Sequence, residues 1–395
     1  MELSFETLHF IEENLHGDVR ALVLQARKYP DVDMAMAVTQ IAGQQIAEAK
    51  VPSWYRTSGL LYPRHLSMEQ CSSEATAKYK SGLVQGETFA DLTGGFGIDC
   101  AFLSQNFQIA DYVERQPELC ELASHNFPLL GLNHIRVHNV DGMDYLRRMQ
   151  PIDCLFLDPA RRDGHGGKTV AITDCEPDVC ALESLLVEKA KKVIVKLSPM
   201  LDLSLALKEL KTITEVHIVS VSNECKELLL VLQKESVSSN IPIYCEHISS
   251  SGERQHYVFT LEEEKQAGCT FASEVETYLY EPNASIMKAG AYRMLTQSFP
   301  VRKLHINSHL YTSSSPVADF PGRKFKVEAV SGFGKKELKD FLQGMEKANL
   351  TVRNFPASVA ELRKRLKLKE GGTDYVFATT LEEEQKVLVR CSKTF

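Results

Sequence analysis

The chain has 395 residues, 44% hydrophobic and 25% charged, with a formal net charge of −7. That length suits two or three soluble domains, and the acidic balance excludes a surface coated in positive charge while leaving room for local basic patches. No apolar run approaches the ~20 residues that span a bilayer. The acidic start Met1-Glu2-Leu3-Ser4-Phe5-Glu6 predicts no signal peptide, and ten cysteines without a Cys-x-x-Cys pair predict reduced thiols in a cytoplasm, with no disulfide frame and no zinc site.

Residues 1 to about 80 read as helical. Leu22, Val23 and Ala26, then Val32, Ala35, Met36, Val38, Ile41 and Ala42, recur at helical spacing on either side of Pro30. Trp54, the only tryptophan, is expected to pack this region against the neighbouring α/β domain. Ser72 or Ser73 serves as the N-cap of a helix running to about Leu83, with Thr76 in its first turn.

Residues 88–90 form a short apolar strand, and the turn Asp91-Leu92-Thr93-Gly94-Gly95-Phe96-Gly97 leads from it into a helix. Glycines there let a ligand approach the backbone, at the edge where parallel sheets bind ligands. A second strand ends in Glu114, 23 positions after Asp91, where an acid can accept from both hydroxyls of a ribose. A third, residues 135–140, ends at Asp141-Gly142, where Asp141 could accept from an adenine amino group. A fourth, residues 153–157, stops at Asp158-Pro159-Ala160-Arg161. Residues 192–197 read as a fifth strand, and 216–221 with 228–233 as a closing antiparallel pair. The bland alternative is a doubly wound domain with no cofactor.

This constellation resembles the class I S-adenosylmethionine-dependent methyltransferases. The resemblance covers roughly residues 85–235 and implies a Rossmann-like α/β domain with a seven-stranded sheet and S-adenosyl-L-methionine as cofactor. It implies cofactor binding by Asp91, Thr93, Gly95, Gly97, Glu114, Asp141, Gly142, Asp158 and Pro159. In many such enzymes a polar segment before the first strand covers the methionine end, which adds Gln70, Ser73 and Thr76. The glycine pattern D-x-x-G-G-x-G does not suggest NAD or FAD.

Beyond residue 235 a polar stretch reads as a linker, residues 240–265 as one or two strands, and 285–299 as a helix. Residues 324–392 read as a compact βαβ-type module: strands at 326–330, 350–354, 375–379 and 386–389, and helices at 334–349 and 358–366. The run Asn354-Phe355-Pro356 followed by Leu362-Arg363-Lys364-Arg365-Leu366 resembles the THUMP-like module attached to some bacterial methyltransferases. True THUMP domains hold RNA for a linked modifying enzyme, so the resemblance implies an RNA partner. From Arg323 to Gly371 there are thirteen Lys or Arg against six Asp or Glu, a local excess that attracts phosphate backbones. The alternative is a solvated helix face. The expected organisation is a helical domain at 1–80, a methyltransferase domain at 81–236, a ferredoxin-like α+β segment at 237–323 and a THUMP-like domain at 324–395.

The catalytic candidates are Asp158, Lys196 and Arg161. In amine methyltransferases acting on bases the fourth motif carries an acid or amide, two prolines and an aromatic. Here Ala160 and Arg161 replace the last two, which weakens the stacking role. Asp158, Lys196 and Glu227 occupy places similar to three members of the Lys-Asp-Lys-Glu set of ribose 2′-O-methyltransferases. The fourth is missing from its expected place, because Lys78 and Lys80 lie closer to Asp91 than that family's lysine. Lys196 could instead form only a salt bridge with Asp158. His165 sits in a glycine-rich loop that could close over substrate. The expected function is methylation of structured RNA at a base or ribose. The rivals are a non-catalytic RNA-binding protein and a methyltransferase acting on a protein or small molecule.

Overall fold

A computed structural model describes residues 3–161, 172–234 and 240–394, without the Arg161 side chain. His165 with its loop, and residues 235–239 of the polar stretch, lie outside the described residues. The chain divides into two compact units, Met1–Val216 with Lys226–Ser238, and His217–Cys225 with Ser239–Phe395.

In the first unit β1 (Thr88–Asp91), β2 (Ile109–Glu114), β3 (Ile135–Asn139), β4 (Ile152–Leu157) and β5 (Ala190–Leu197) pair in parallel. The chain leaves this unit along β6 (Ile213–Val221) and re-enters along β7 (Glu224–Leu232), which lies antiparallel to β5. These seven are ordered 3-2-1-4-5-7-6 within a sheet of nine strands, two more than the seven expected. Val193, Ile194, Val195 and Leu197 are all buried, as expected of a strand covered by helices on both faces. Parallel strands bring their carboxyl ends to one edge, so Asp91, Glu114, Asp141, Asp158 and Lys196 gather there. The β5–β7 register sets Leu228 opposite Leu197, which adds Glu227 to the same edge.

The helices of residues 1–80 belong to this unit. Phe5–Glu13, Val19–Leu24 and Met34–Lys50 share a core of Phe10, Ile11, Leu22, Met34, Ala37 and Ile41. Trp54 packs edge-on against Phe96 of the glycine turn, with ring centroids 5.0 Å apart.

In the second unit β8 (Pro242–Ile248) and β9 (Arg254–Thr260) form an antiparallel hairpin. The remaining strands are β10 (Tyr278–Pro282), β11 (Tyr311–Ser313), β12 (Gly322–Ser331), β13 (Asn349–Arg353), β14 (Asp374–Thr380) and β15 (Lys386–Lys393). With a two-residue rung at Arg302–Lys303 outside β11, they form one sheet ordered 11-10-12-15-14-13. Only β13 and β14 run parallel among these neighbours. Leu279, Phe325, Phe377 and Val389 meet in one core, and Phe341, Leu362, Leu366 and Leu388 in another.

Two expected helices are shorter than their sequence pattern. The segment 285–299 is two helices, Ala284–Ala289 and Met294–Ser298, because Gly290 takes a left-handed φ of 83°. The helix expected to run to 349 is Lys335–Phe341, and Gly344 turns the chain at φ 76°. Among the described residues no helix is long and apolar enough to cross a membrane.

Candidate active site

The glycine turn is shaped by close approach. A Cβ on Gly94 would lie 2.3 Å from the Tyr112 ring, and Gly95 and Gly97 hold φ of 54° and 90°. Gly142 has as little room: its Cβ would lie 2.2 Å from the Leu92 carbonyl oxygen. Glu114 is buried at the end of β2, where Oε2 accepts from the Gly95 N–H at 3.0 Å and Oε1 from the Gln116 N–H at 2.8 Å. Each carboxylate oxygen keeps a further lone pair. A glycine cradle closed by a fixed acid at the next strand end fits the adenosine half of S-adenosylmethionine.

Thr93 joins the first and fourth strand ends. Its N–H donates to Asp91 Oδ1 at 2.9 Å, and its Oγ1 accepts from the Asp158 N–H at 2.7 Å. Asp91 is 1% exposed, and burial pushes its carboxyl up to about 8, with Asp99 and Asp158 adding to the rise. Asp141 is exposed and caps the helix Gly142–Arg148, accepting from the Met143 and Asp144 N–H groups. Pro159 is buried.

At the carboxyl ends of β4 and β5 the structure assembles a buried ionic cluster. Lys196 Nζ lies 2.6 Å from Asp158 Oδ2 and 3.1 Å from Asp99 Oδ2. Lys80 pairs with Glu227 and lies 3.1 Å from Asp99 Oδ1. The Ser72 hydroxyl sits among them, donating to Asp99 Oδ2 at 2.7 Å and accepting from both ammonium groups at 3.0 and 3.1 Å. The Lys80 and Lys196 side chains are 0% and 9% exposed, whereas Asp158 is 39% exposed, so Asp158 is the corner of this group most open to solvent. Burial alone would lower the Lys196 pKa, but Asp158, Asp99 and Glu227 outweigh it and hold the ammonium well above its usual value.

Lys80, Ser72 and Asp99 join the cluster without being site candidates on sequence: Asp99 carries no separate reading, Ser72 only that of an alternative N-cap, and Lys80 is set aside on its spacing. Lys80 fails the spacing from Asp91 that the ribose 2′-O-methyltransferases show. Its signal was a lysine on the face that Thr76 and Ala77 turn inward, since a helix brings positions three and four apart together. Of the segment expected to cover the cofactor, Ser73 is the N-cap of Glu74–Ser81, with its Oγ accepting from the Thr76 N–H. Thr76 is buried, and Gln70 is exposed at the end of His65–Gln70. It is the neighbouring Ser72, rather than these three, whose hydroxyl joins the cluster. The Arg161 backbone pairs with Cys175 in a two-residue ladder.

The strand order, the glycine cradle and the polar strand ends together define a class I methyltransferase fold. Over its whole length the chain is 33% identical to a candidate methyltransferase from Porphyromonas gingivalis W83, whose crystal structure superposes with a TM-score of 0.87 and is itself fully covered, and the chain belongs to that family. Residues 278–321 match a family described as a ferredoxin-like domain and residues 322–393 one described as THUMP domain-like. A candidate methyltransferase from Streptococcus mutans in complex with SAH is 14% identical over 40% of this chain and 96% of its own, with a TM-score of 0.30. An rRNA methylase from Streptococcus thermophilus is 13% identical over 41% of this chain and 95% of its own, with a TM-score of 0.31. No curated protein matches the sequence.

Proposed function

We propose that the protein transfers a methyl group from S-adenosyl-L-methionine to structured RNA in the cytoplasm. The observation that carries the catalytic part is the buried cluster of Lys80, Lys196, Asp99, Asp158 and Glu227 at the sheet edge beside the glycine cradle. The cofactor supplies a methyl group already activated on a sulfonium. Glu114 and the turn at Gly95 and Gly97 hold its adenosine, and Asp141 and Gly142 border the adenine side. Three carboxylates face two ammonium groups, so the cluster favours a cationic donor. Asp158 receives the acceptor at its exposed corner, and Lys196 fixes that carboxylate. The RNA half of the reading is supported by the THUMP-like match and by the basic excess after Arg323.

Lys80 favours a hydroxyl acceptor over a base amine. With Lys80 in place, Lys80, Asp158, Lys196 and Glu227 complete a set resembling that of the ribose 2′-O-methyltransferases. A hydroxyl must shed its proton during transfer; the Lys196 ammonium, its pKa held well above the usual value, cannot take it, so the proton goes to the Asp158 carboxylate, whose pKa burial raises, whereas an amine proton can leave to water afterwards. Comparing modified nucleosides of ribosomal and transfer RNA from wild-type and deletion strains by mass spectrometry identifies the product. On that substrate Asp158→Ala is expected to lower turnover by ~10²-fold or more for either acceptor. Lys196→Met is expected to do the same only for a hydroxyl, with cofactor affinity little changed. Full turnover in both variants rules out this cluster as the catalytic centre.

A further inference from the structure

The second unit holds a pocket of about 300 Å³ lined by none of the residues of the ionic cluster. Its lining includes Arg323, Lys324 and Lys393 against the single carboxylate of Glu253, with the amides of Gln255 and Asn283 beside them. Asn283 is 1% exposed, and its Oδ1 is committed to the Ile286 N–H and the Ser285 hydroxyl. Its Nδ2 is buried without a hydrogen-bond partner, which is costly for a group that donates twice. Arg323 is held in place by the fully buried Glu281, to which its Nε donates at 2.7 Å. Lys324 Nζ donates to the Ala318 carbonyl at 2.5 Å, leaving two of its three protons for a ligand. Three cations, one acid and an unpaired buried amide are the complement of a nucleotide: phosphate on the cations, base or ribose groups on the amides and the acid.

We infer that this pocket binds one nucleotide of a single-stranded stretch of the substrate RNA, with its phosphodiester on Lys324, Lys393 and Arg323. The inference rests on the proposed RNA substrate and adds to it a defined seat outside the basic helix of the C-terminal module. Fluorescence anisotropy of the full-length protein with a short fluorescein-labelled single-stranded RNA tests it. Lys324→Gln with Lys393→Gln is expected to weaken binding on the order of tenfold. The slope of log Kd against log salt should become shallower by about 1.4, roughly 0.7 for each ammonium removed. Asn283→Asp keeps the oxygen that caps the following helix and replaces the free donor by a charge that repels phosphate, so it too should bind at least several-fold more weakly. At equal ionic strength unlabelled RNA should displace the probe and inorganic phosphate at the same concentration should not; equal displacement by phosphate overturns the nucleotide assignment. Wild-type protein that binds RNA while all three substitutions leave affinity and slope unchanged sinks the pocket alone. Wild-type protein that binds no RNA sinks the proposed RNA substrate as well.

Discussion

Glu114 ties the proposed cofactor site to the fold. Its two oxygens each hold a backbone N–H of a neighbouring turn, so the acid is fixed before any ligand arrives. Glu114→Ala is therefore expected to weaken binding of S-adenosylhomocysteine by about 2–3 kcal/mol, measured by calorimetry, through the loss of charge-assisted hydrogen bonds. Asp91 predicts a different behaviour. Its folded pKa is raised by burial to about 8, above the ordinary carboxylate value, so the folded chain holds a proton that the unfolded chain releases. Its contribution to stability is complete below the unfolded value of roughly 4 and is lost as pH rises through about 8. Asp91→Asn, which keeps an acceptor for the Thr93 N–H, is expected to flatten the fall in melting temperature between roughly pH 5.5 and about pH 8.

At the scale of elements, the polar residues ending β1, β2 and β4 were legible because strand, turn and helix signals recur there in register. The cluster was only half legible. Asp158, Lys196 and Glu227 stand at strand ends that the pattern locates, but Lys80 lies on a helix whose distance from β1 is set by packing rather than by spacing. The helix at 285–299 was misread because the apolar spacing continues past Gly290, and only its left-handed backbone shows that the helix stops. The C-terminal strands were located correctly, but their sharing of one sheet with β10 was not visible, since antiparallel partners carry no mark in sequence. That sharing has a consequence. β12 lies between β10 and β15, pairing Leu279 with Phe325 on one side and Phe325 with Lys393 on the other. Removing residues 324–395 cuts β12 near its start and opens the core of Leu279 and Phe325. The truncated chain is expected to lose near-ultraviolet circular dichroism from the second unit and to expose apolar surface to a hydrophobic dye. A truncation that stays fully ordered would show that β10 and β11 fold without β12.

For the whole molecule, the proposed RNA attraction is therefore better probed by changing charge than by deletion. On the helix Val359–Leu366, Arg363 is engaged with the Ala348 carbonyl and Arg365 lies over the Phe333 ring at 5.2 Å. Lys364 and Lys369 are exposed. Lys364→Gln with Lys369→Gln is expected to reduce the salt dependence of RNA binding by roughly 0.7–0.9 per residue, leaving cofactor affinity and melting temperature unchanged. An unaltered salt slope would identify this face as a merely solvated one. The net charge of −7 for the whole chain makes such local positive surface the deciding feature, because the remainder repels a polyanion.

The ionic cluster also bears on the order in which the protein comes into being. Ser72, Lys80 and Asp99, which lies 3.1 Å from Lys80, leave the ribosome early, while Glu227, the second carboxylate beside Lys80, lies 147 positions beyond that lysine. At ~5–20 residues per second that is a delay of roughly 7–30 s. Until β7 is made, Lys80 and Lys196 share the carboxylates of Asp99 and Asp158 and lack the third, that of Glu227. The proposed reacting centre is thus completed only when the strand bearing Glu227 is inserted.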